Sequence, residues 1–343
     1  MARTPKNRDT MRTMIAQGKR PKFRKPKREF KDTRSVNEKF TDLIALGNQR
    51  LQNNVVYRGD EAIVDTRRSS AAALTGYLSF EDSVIGFIND EHRISGSPLS
   101  KPGAKTFTLK SHLENSSRVI QAGVNVIKIP SDLKPIQTNR EPVFIEQEVE
   151  FVTIEPAEFT IIELEDDDVA VSDLPVFMAK IDRSNLSDHS LRYEISRRDQ
   201  KDRKTEQLVS ELLTAIALGL GRAVDKEICR SLIAAGLSDF SLAAAVNSGK
   251  NHSELFGFIS SNTIAGPDRL RYDAGQLILD NVPAEYCKET EETLIAAWSR
   301  FAIAIPDGVD LSIERTDASG KLVITVWFHI QALIPNESFA WKV

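Results

Sequence analysis

The side chains able to do chemistry are spread thinly along these 343 residues. His92, His112, His189, His252 and His329 could serve as bases or metal ligands, but no two stand in an H-x-x-x-H relation. Cys229 and Cys287 form no C-x-x-C and no disulfide framework; two buried thiols in a reducing compartment fit them best. The run Glu163, Glu165, Asp166, Asp167 and Asp168 offers the oxygen ligands that calcium uses, without the spaced positions and glycine turn of a calcium loop. It reads as a solvated turn or a charged contact surface. His329 lies in an apolar strand pattern and reads as a hydrogen-bonded core residue. His189, in SNLSDHS, reads as part of a polar turn.

Phosphate-cradling and nucleophile-elbow patterns, G-x-x-x-x-G-K-[ST], G-x-G-x-x-G and G-x-S-x-G, do not occur. Gly219 and Gly221 fall inside a helical stretch, where a kink or a close-packing site is expected. Catalysis needs convergent groups. None is visible, so a non-enzymatic protein is expected, with no catalytic, cofactor or metal residue.

Charge is the stronger signal. Residues 1–35 hold thirteen Lys/Arg and three Asp/Glu, a net of about +10, whereas the whole chain is −4, leaving the rest near −14. The arm residues Lys19, Arg20, Lys22, Arg24, Lys25, Lys27 and Arg28 alternate with proline and cannot build a core. Such an arm either contacts nucleic acid or an acidic neighbour, or is a solvated tail. It is basic but lacks an apolar h-region, so it is not a secretory signal. No apolar run approaches the roughly 18 residues of a membrane span.

The elements that would position these groups follow from periodicity. In 199–236, Leu208, Leu212, Ile216, Leu220, Val224, Ile228 and Leu232 recur every four residues, predicting one continuous helix roughly 45 Å long. Alternation in FIEQEVEFVTIE and EFTIIELE, then LPVFMAKI and SLRYEI, predicts a long acidic β-ribbon over 150–195. FEDSVIGFINDEH and SHLENSSRVIQAG suggest short helices, the second capped by Ser111 and ended near Gly123. Residues 36–66 look partly helical. QLILDNVPAEY reads as strand and turn. TEETLIAAWSRF reads as a helix capped by Thr290, with Leu294, Ala297, Trp298 and Phe301 on its apolar face. LSIERT and KLVITVWFHIQAL form a hairpin whose second strand, apolar on both faces, is central.

The order of these elements, with LPVFMAKIDRSNL, QLVSELLTAIALGLGRAVDKEICRSLIAAG (including Arg222 and Asp225), AWSRFAIAIPDGVDLSIERT and VWFHIQALIPNESFAWKV, resembles the major capsid protein of tailed bacteriophages. That fold is shared with herpesvirus capsids and encapsulin shells. The resemblance covers roughly 150–343. It implies an α+β phage major-capsid-type fold with a long spine helix, peripheral and axial domains, an extended β-ribbon loop and an N-terminal arm. Divided accordingly, 1–60 are the basic arm, and 61–149 have room for an inserted module. Residues 150–195 are the extended loop, 196–236 the spine helix of the peripheral domain, 237–308 the axial domain and 309–343 the closing peripheral strands. The implied function is self-assembly into pentamers and hexamers of an icosahedral shell enclosing double-stranded DNA. Its partners would be other copies, a scaffolding protein, a portal and decoration proteins. The virion capsid, assembled in the host cytoplasm, would be its location, with no membrane. The acidic ribbon could pair with basic surface on a neighbour, at the arm or at Arg192, Arg197 and Arg198. An encapsulin-like cargo shell fits the same features, and a nucleic-acid-binding protein acting through the arm is a separate class.

Overall fold

The four-residue stripe forms one helix, Thr205–Ala234, of 30 residues. It runs unbroken through Gly219 and Gly221. It begins later than the pattern suggested, because Ser196 caps a separate helix, Arg197–Asp202, by accepting from the Asp199 N–H at 3.1 Å. Arg203 and Lys204 are non-helical and divide the two. The computed structural model describes residues 37–38, 40–42, 44, 55–58, 61–64, 74–81, 83–86, 105–129, 134–137, 142–145, 148–157, 159, 173–261, 269–314 and 321–343. The arm residues Lys19 to Arg28 and the acidic tip Glu163 to Asp168 lie outside them.

In chain order the strands are β1 (Val55–Arg58), β2 (Glu61–Val64), β3 (Leu74–Ser79), β4 (Ser83–Gly86), β5 (Lys105–Thr108), β6 (Asn125–Lys128), β7 (Lys134–Gln137), β8 (Pro142–Ile145), β9 (Glu150–Ile154), β10 (Val176–Lys180) and β11 (Ser187–Ile195). After the long helix come β12 (Ser238–Asp239), β13 (Phe256–Ile259), β14 (Leu270–Asp273), β15 (Gln276–Leu279), β16 (Val282–Tyr286), β17 (Leu294–Ala296), β18 (Ala302–Ile305), β19 (Gly308–Glu314), β20 (Leu322–Leu333) and β21 (Ala340–Lys342).

One sheet has the order β3-β19-β20-β18-β6, with β11 also paired to β20. β20 is its centre: it pairs antiparallel with β11, β19 and β18 along its length. Alternate residues of β20, from Leu322 to Ile330, are buried on the side of the long helix, which buries Leu208, Leu212, Ile216, Leu220, Val224 and Ile228 in the same core. Each such side chain contributes about 1.5–3 kcal/mol when fully buried. The second sheet, β12-β21-β17-β13-β16-β15-β14, follows the helix in sequence. Its tight β15–β16 turn places Asp280 and Asn281 at φ 49° and 68°, where these residue types are tolerated. By length and composition, Gln207–Ala234 could cross a membrane; its apolar stripe is turned instead into this core.

Several expectations are corrected. SLRYEI is not part of the ribbon: Ser187–Ile195 lies against β20 over nine residues, and the ribbon consists of β9 and β10. His189 is therefore a strand residue. TEETLIAAWSRF is not a helix but β17, a 3-10 turn Trp298–Arg300 and the lead into β18. Thr293 to Trp298 are all buried, so no polar face exists to stabilise a surface helix there. Trp298 donates to the Phe256 carbonyl at 2.8 Å and packs on Phe258. In FEDSVIGFINDEH, Ser83–Gly86 is a strand paired with β5. The helix after β5, Leu109–Ser116, is capped by Thr108, with Ser111 returning the bond to the Thr108 N–H. Among the described residues of 36–66, the helical ones lie between Asn37 and Ile44, and β1 pairs with β2. β3 and β6, from the stretch with room for an insertion, are the two ends of the main sheet path.

Candidate assembly surface

The ribbon has two unlike faces. β9 and β10 pair antiparallel with Val152 opposite Met178 and Ile154 opposite Val176. Because side chains alternate across a strand, Phe151 and Ala179 share the other face. They pack on Ile129, Ala302, Ala304 and Leu333 of the chain's own sheet. The outer face is open to solvent in large part: Val152, Ile154 and Met178 are 44%, 65% and 52% exposed. Farther out, Phe159 is 94% and Leu174 80% exposed. Toward the base, Glu150 pairs with Lys180 at 2.7 Å, which holds the ammonium above the usual lysine value.

A charged clamp fixes the outer end of the β9–β10 pairing. Glu155, just past β9, pairs with Lys250 Nζ and with Arg300 Nη1 at 3.2 Å. The Lys250 side chain is only 2% exposed and its Nζ lies 4.1 Å from the Phe339 ring centroid. The Glu155 N–H donates to the Pro175 carbonyl at 2.9 Å, closing the ribbon's first rung beyond β10. Sequence reasoning missed this clamp. SGKNH gives no sign that a lysine there is buried, and Glu155 looked like one more member of an alternating strand.

The long helix is locked to its neighbours by two buried carboxylates. Asp225 accepts from Ser117 Oγ at 2.6 Å and from the N–H groups of Arg118 and Val119. Glu227 accepts from Ser187 Oγ at 2.8 Å and from Arg230 at 2.8 Å, and meets His189 Nε2 at 3.2 Å. His189 thus belongs to the seam between the helix and β11.

On the opposite face of the main sheet, His329 Nδ1 lies 2.6 Å from Asp188 Oδ1, and Nε2 lies 4.0 Å from Asp310 Oδ2. His329 is half-exposed, not a core residue. Burial and the Asp310 charge push the neighbouring Tyr77 phenol above its usual value. Among the described residues, no Ser or Cys side chain is hydrogen-bonded to this imidazole in the way a nucleophile would be. Among the described residues, no three His, Cys, Asp or Glu side chains are grouped to hold a metal ion. Of the basic residues considered for contacts between copies, Arg192 lies 4.0 Å from Glu194 and Arg198 pairs with Asp202 at 3.3 Å.

No family model matches the chain, and no curated protein matches it. Solved structures do. The capsid of the native GTA particle aligns over 73% of this chain and 94% of its own, at 9% identity and a TM-score of 0.42. The satellite phage P4 procapsid including the size determination protein aligns over 68% and 97%, at 9% identity and 0.40. A virus-like particle from Pyrococcus furiosus aligns over 68% and 95%, at 11% identity and 0.37.

Proposed function

We propose that this chain is the subunit of a closed protein shell, a major capsid protein whose copies form pentamers and hexamers around double-stranded DNA. The observation that carries the reading is the two-faced ribbon. One face is seated on its own subunit, and the other presents Val152, Ile154 and Met178 to solvent, with Phe159 and Leu174 beyond. A two-stranded ribbon is marginal in water by itself, and exposed apolar surface of this kind marks an interaction site. Covering these side chains with a second copy is worth several kcal/mol per contact. Surface ion pairs made by the acidic run would add about 0–1 kcal/mol each. The apolar face therefore supplies the affinity, and charge supplies the register. The basic arm would meet DNA on the inner face or the acidic tip of a neighbour. A scaffolding protein, a portal and decoration proteins would complete the particle, assembled in the host cytoplasm.

The test is a double substitution, Ile154→Lys with Met178→Lys. Both side chains are exposed, so the subunit should fold normally by circular dichroism. Light scattering and negative-stain microscopy should show closed particles for wild type and none for the variant. Particles formed as efficiently by the variant would remove the ribbon from assembly. A wild-type chain that stays monomeric at all concentrations and binds DNA in a salt-dependent way would favour a nucleic-acid-binding protein instead. Replacing the seven arm residues Lys19 to Arg28 by Gln separates the arm's two roles. Loss of retained DNA from intact shells marks the inner-face role; loss of shells marks the neighbour role.

A further inference from the structure

The face of the main sheet turned away from the long helix carries a row of side chains across four strands. Ser190 of β11 stands opposite Trp327 of β20, Trp327 opposite Asp310 of β19, and Asp310 opposite Tyr77 of β3. One step along, Asp188 is opposite His329. Directly opposed residues share a face, so two carboxylates, an imidazole and two aromatic side chains form one patch. His329 stands between the carboxylates, with Nδ1 2.6 Å from Asp188 Oδ1 and Nε2 4.0 Å from Asp310 Oδ2. The patch is open: Tyr77 is 51% exposed, and the side chains of Asp188 and Asp310 are 73% and 60% exposed. Among the described residues, no Lys or Arg pairs with Asp188 or Asp310, and none stands over the Tyr77 or Trp327 ring. Arg192, on the same face, lies 4.0 Å from Glu194.

Neighbouring strands lie about 4.8 Å apart. Asp310 sits on the strand between Trp327 and Tyr77, so a cation held at its carboxylate is about 5 Å from either aromatic row. That is inside the roughly 6 Å reach of a cation–π contact. The rings attract the cation through their quadrupoles, and the carboxylate adds a full charge. We propose that this face is a binding site for a basic peptide segment, which seats a guanidinium or ammonium group over Asp310 between Trp327 and Tyr77. Asp188, one step along the face, takes the charge of a second basic side chain. The site differs from the ribbon in place and in chemistry, and it stands whether or not copies of the chain close a shell.

The chain carries its own reporter. Trp298 and Trp341 are buried and Trp327 is not, so acrylamide quenching of tryptophan fluorescence reads Trp327. The full chain is titrated with hexa-arginine, with hexa-glutamine as control. The chain with Gln at the seven arm residues is titrated in parallel, so that a basic arm already seated on the face does not mask it. Hexa-arginine should give a saturable fluorescence change and shield Trp327 from acrylamide, and added salt should weaken both. Asp310→Asn and Tyr77→Leu, both at exposed positions, should each weaken binding about two- to fivefold. Asp188→Asn with Asp310→Asn should abolish it while circular dichroism stays unchanged. Trp327→Phe should remove the signal but leave heat of binding in calorimetry. No saturable response in either chain, an equal response to hexa-glutamine, or full binding by the double Asn variant would overturn the proposal.

Discussion

Asp225, in the long helix, and Ser117, at the junction of two shorter helices, stand 2.6 Å apart, with Ser117 Oγ donating to the carboxylate. The same carboxylate takes the N–H of Arg118 at 3.2 Å and of Val119 at 3.1 Å, so it acts as an external cap for the helix Arg118–Gln121. Asp225→Ala would leave three buried or half-buried donors without this partner. It should lower stability by about 1–3 kcal/mol in urea unfolding. Ser117→Ala should cost about 1 kcal/mol. Near-additive losses in the double variant would argue against one shared network.

Gly219 and Gly221 should respond to Ala in opposite senses. A Cβ on Gly221 would come within 3.0 Å of the Ser116 carbonyl carbon and the Ser117 nitrogen, where the shorter helices cross the long one. On Gly219 it would meet only Leu191 Cδ2, at 3.9 Å. Gly221→Ala should destabilise by about 1–3 kcal/mol. Gly219→Ala should stabilise by about 0.5–1 kcal/mol through helix propensity. Thermal unfolding of both variants checks the pair; equal effects would contradict the close approach.

The two buried carboxylates of the long helix should titrate with opposite sign. Burial opposes the Glu227 charge, but bonds from His189 and Ser187 and the charges of Arg230 and His189 prevail, and its value falls below 4.5. Its contribution to stability is complete above 4.5 and is lost as pH falls through the lower folded value. Burial raises Asp225 above 3.8 in spite of its donors. Its contribution is complete below 3.8 and is lost as pH rises through the higher folded value. Urea midpoints against pH should therefore lose part of the acid limb in Glu227→Gln and part of the opposing slope in Asp225→Asn. Unchanged profiles in both would show that neither carboxylate is linked to folding.

Breaking the ribbon clamp should cost more than removing it. Glu155→Gln leaves the Lys250 ammonium buried beside Arg300 and Phe339. One-sided loss of a buried pair costs about 3–5 kcal/mol. Glu155→Gln with Lys250→Met should recover most of that in urea unfolding. A double variant as unstable as the single would mean that Glu155 acts chiefly through Arg300.

The parts of the fold legible in sequence were those with one wet and one dry side. The long helix showed its stripe because Leu208 to Leu232 are buried while Arg222, Lys226 and Arg230 are exposed. Its start was misplaced because DQKDRKTEQ is polar throughout and has no period to mark the break at Arg203. The segment Thr293 to Trp298 is buried on every side, so helix and strand spacing could not be told apart there. The Glu155–Lys250 clamp joins residues 95 apart in the chain, and Ser117–Asp225 joins residues 108 apart. No local pattern encodes either pair. The ribbon's outer face was read for its charges, while Val152, Ile154 and Met178 passed as ordinary strand residues.

The main sheet joins β3 to β19, β6 to β18 and β11 to β20, so three of its five strand pairings join segments distant in the chain. Closing such loops takes entropy before any contact repays it, and sheets of this topology fold slowly. The long helix and the β9–β10 ribbon need only neighbouring sequence. Pulse-labelled hydrogen exchange should protect the helix amides before those of β3 and β19; simultaneous protection would oppose this order. If the ribbon is the assembly element proposed above, the chain would offer it to other copies while its own sheet is still open. Timing, as much as affinity, then separates productive association from tangled aggregates.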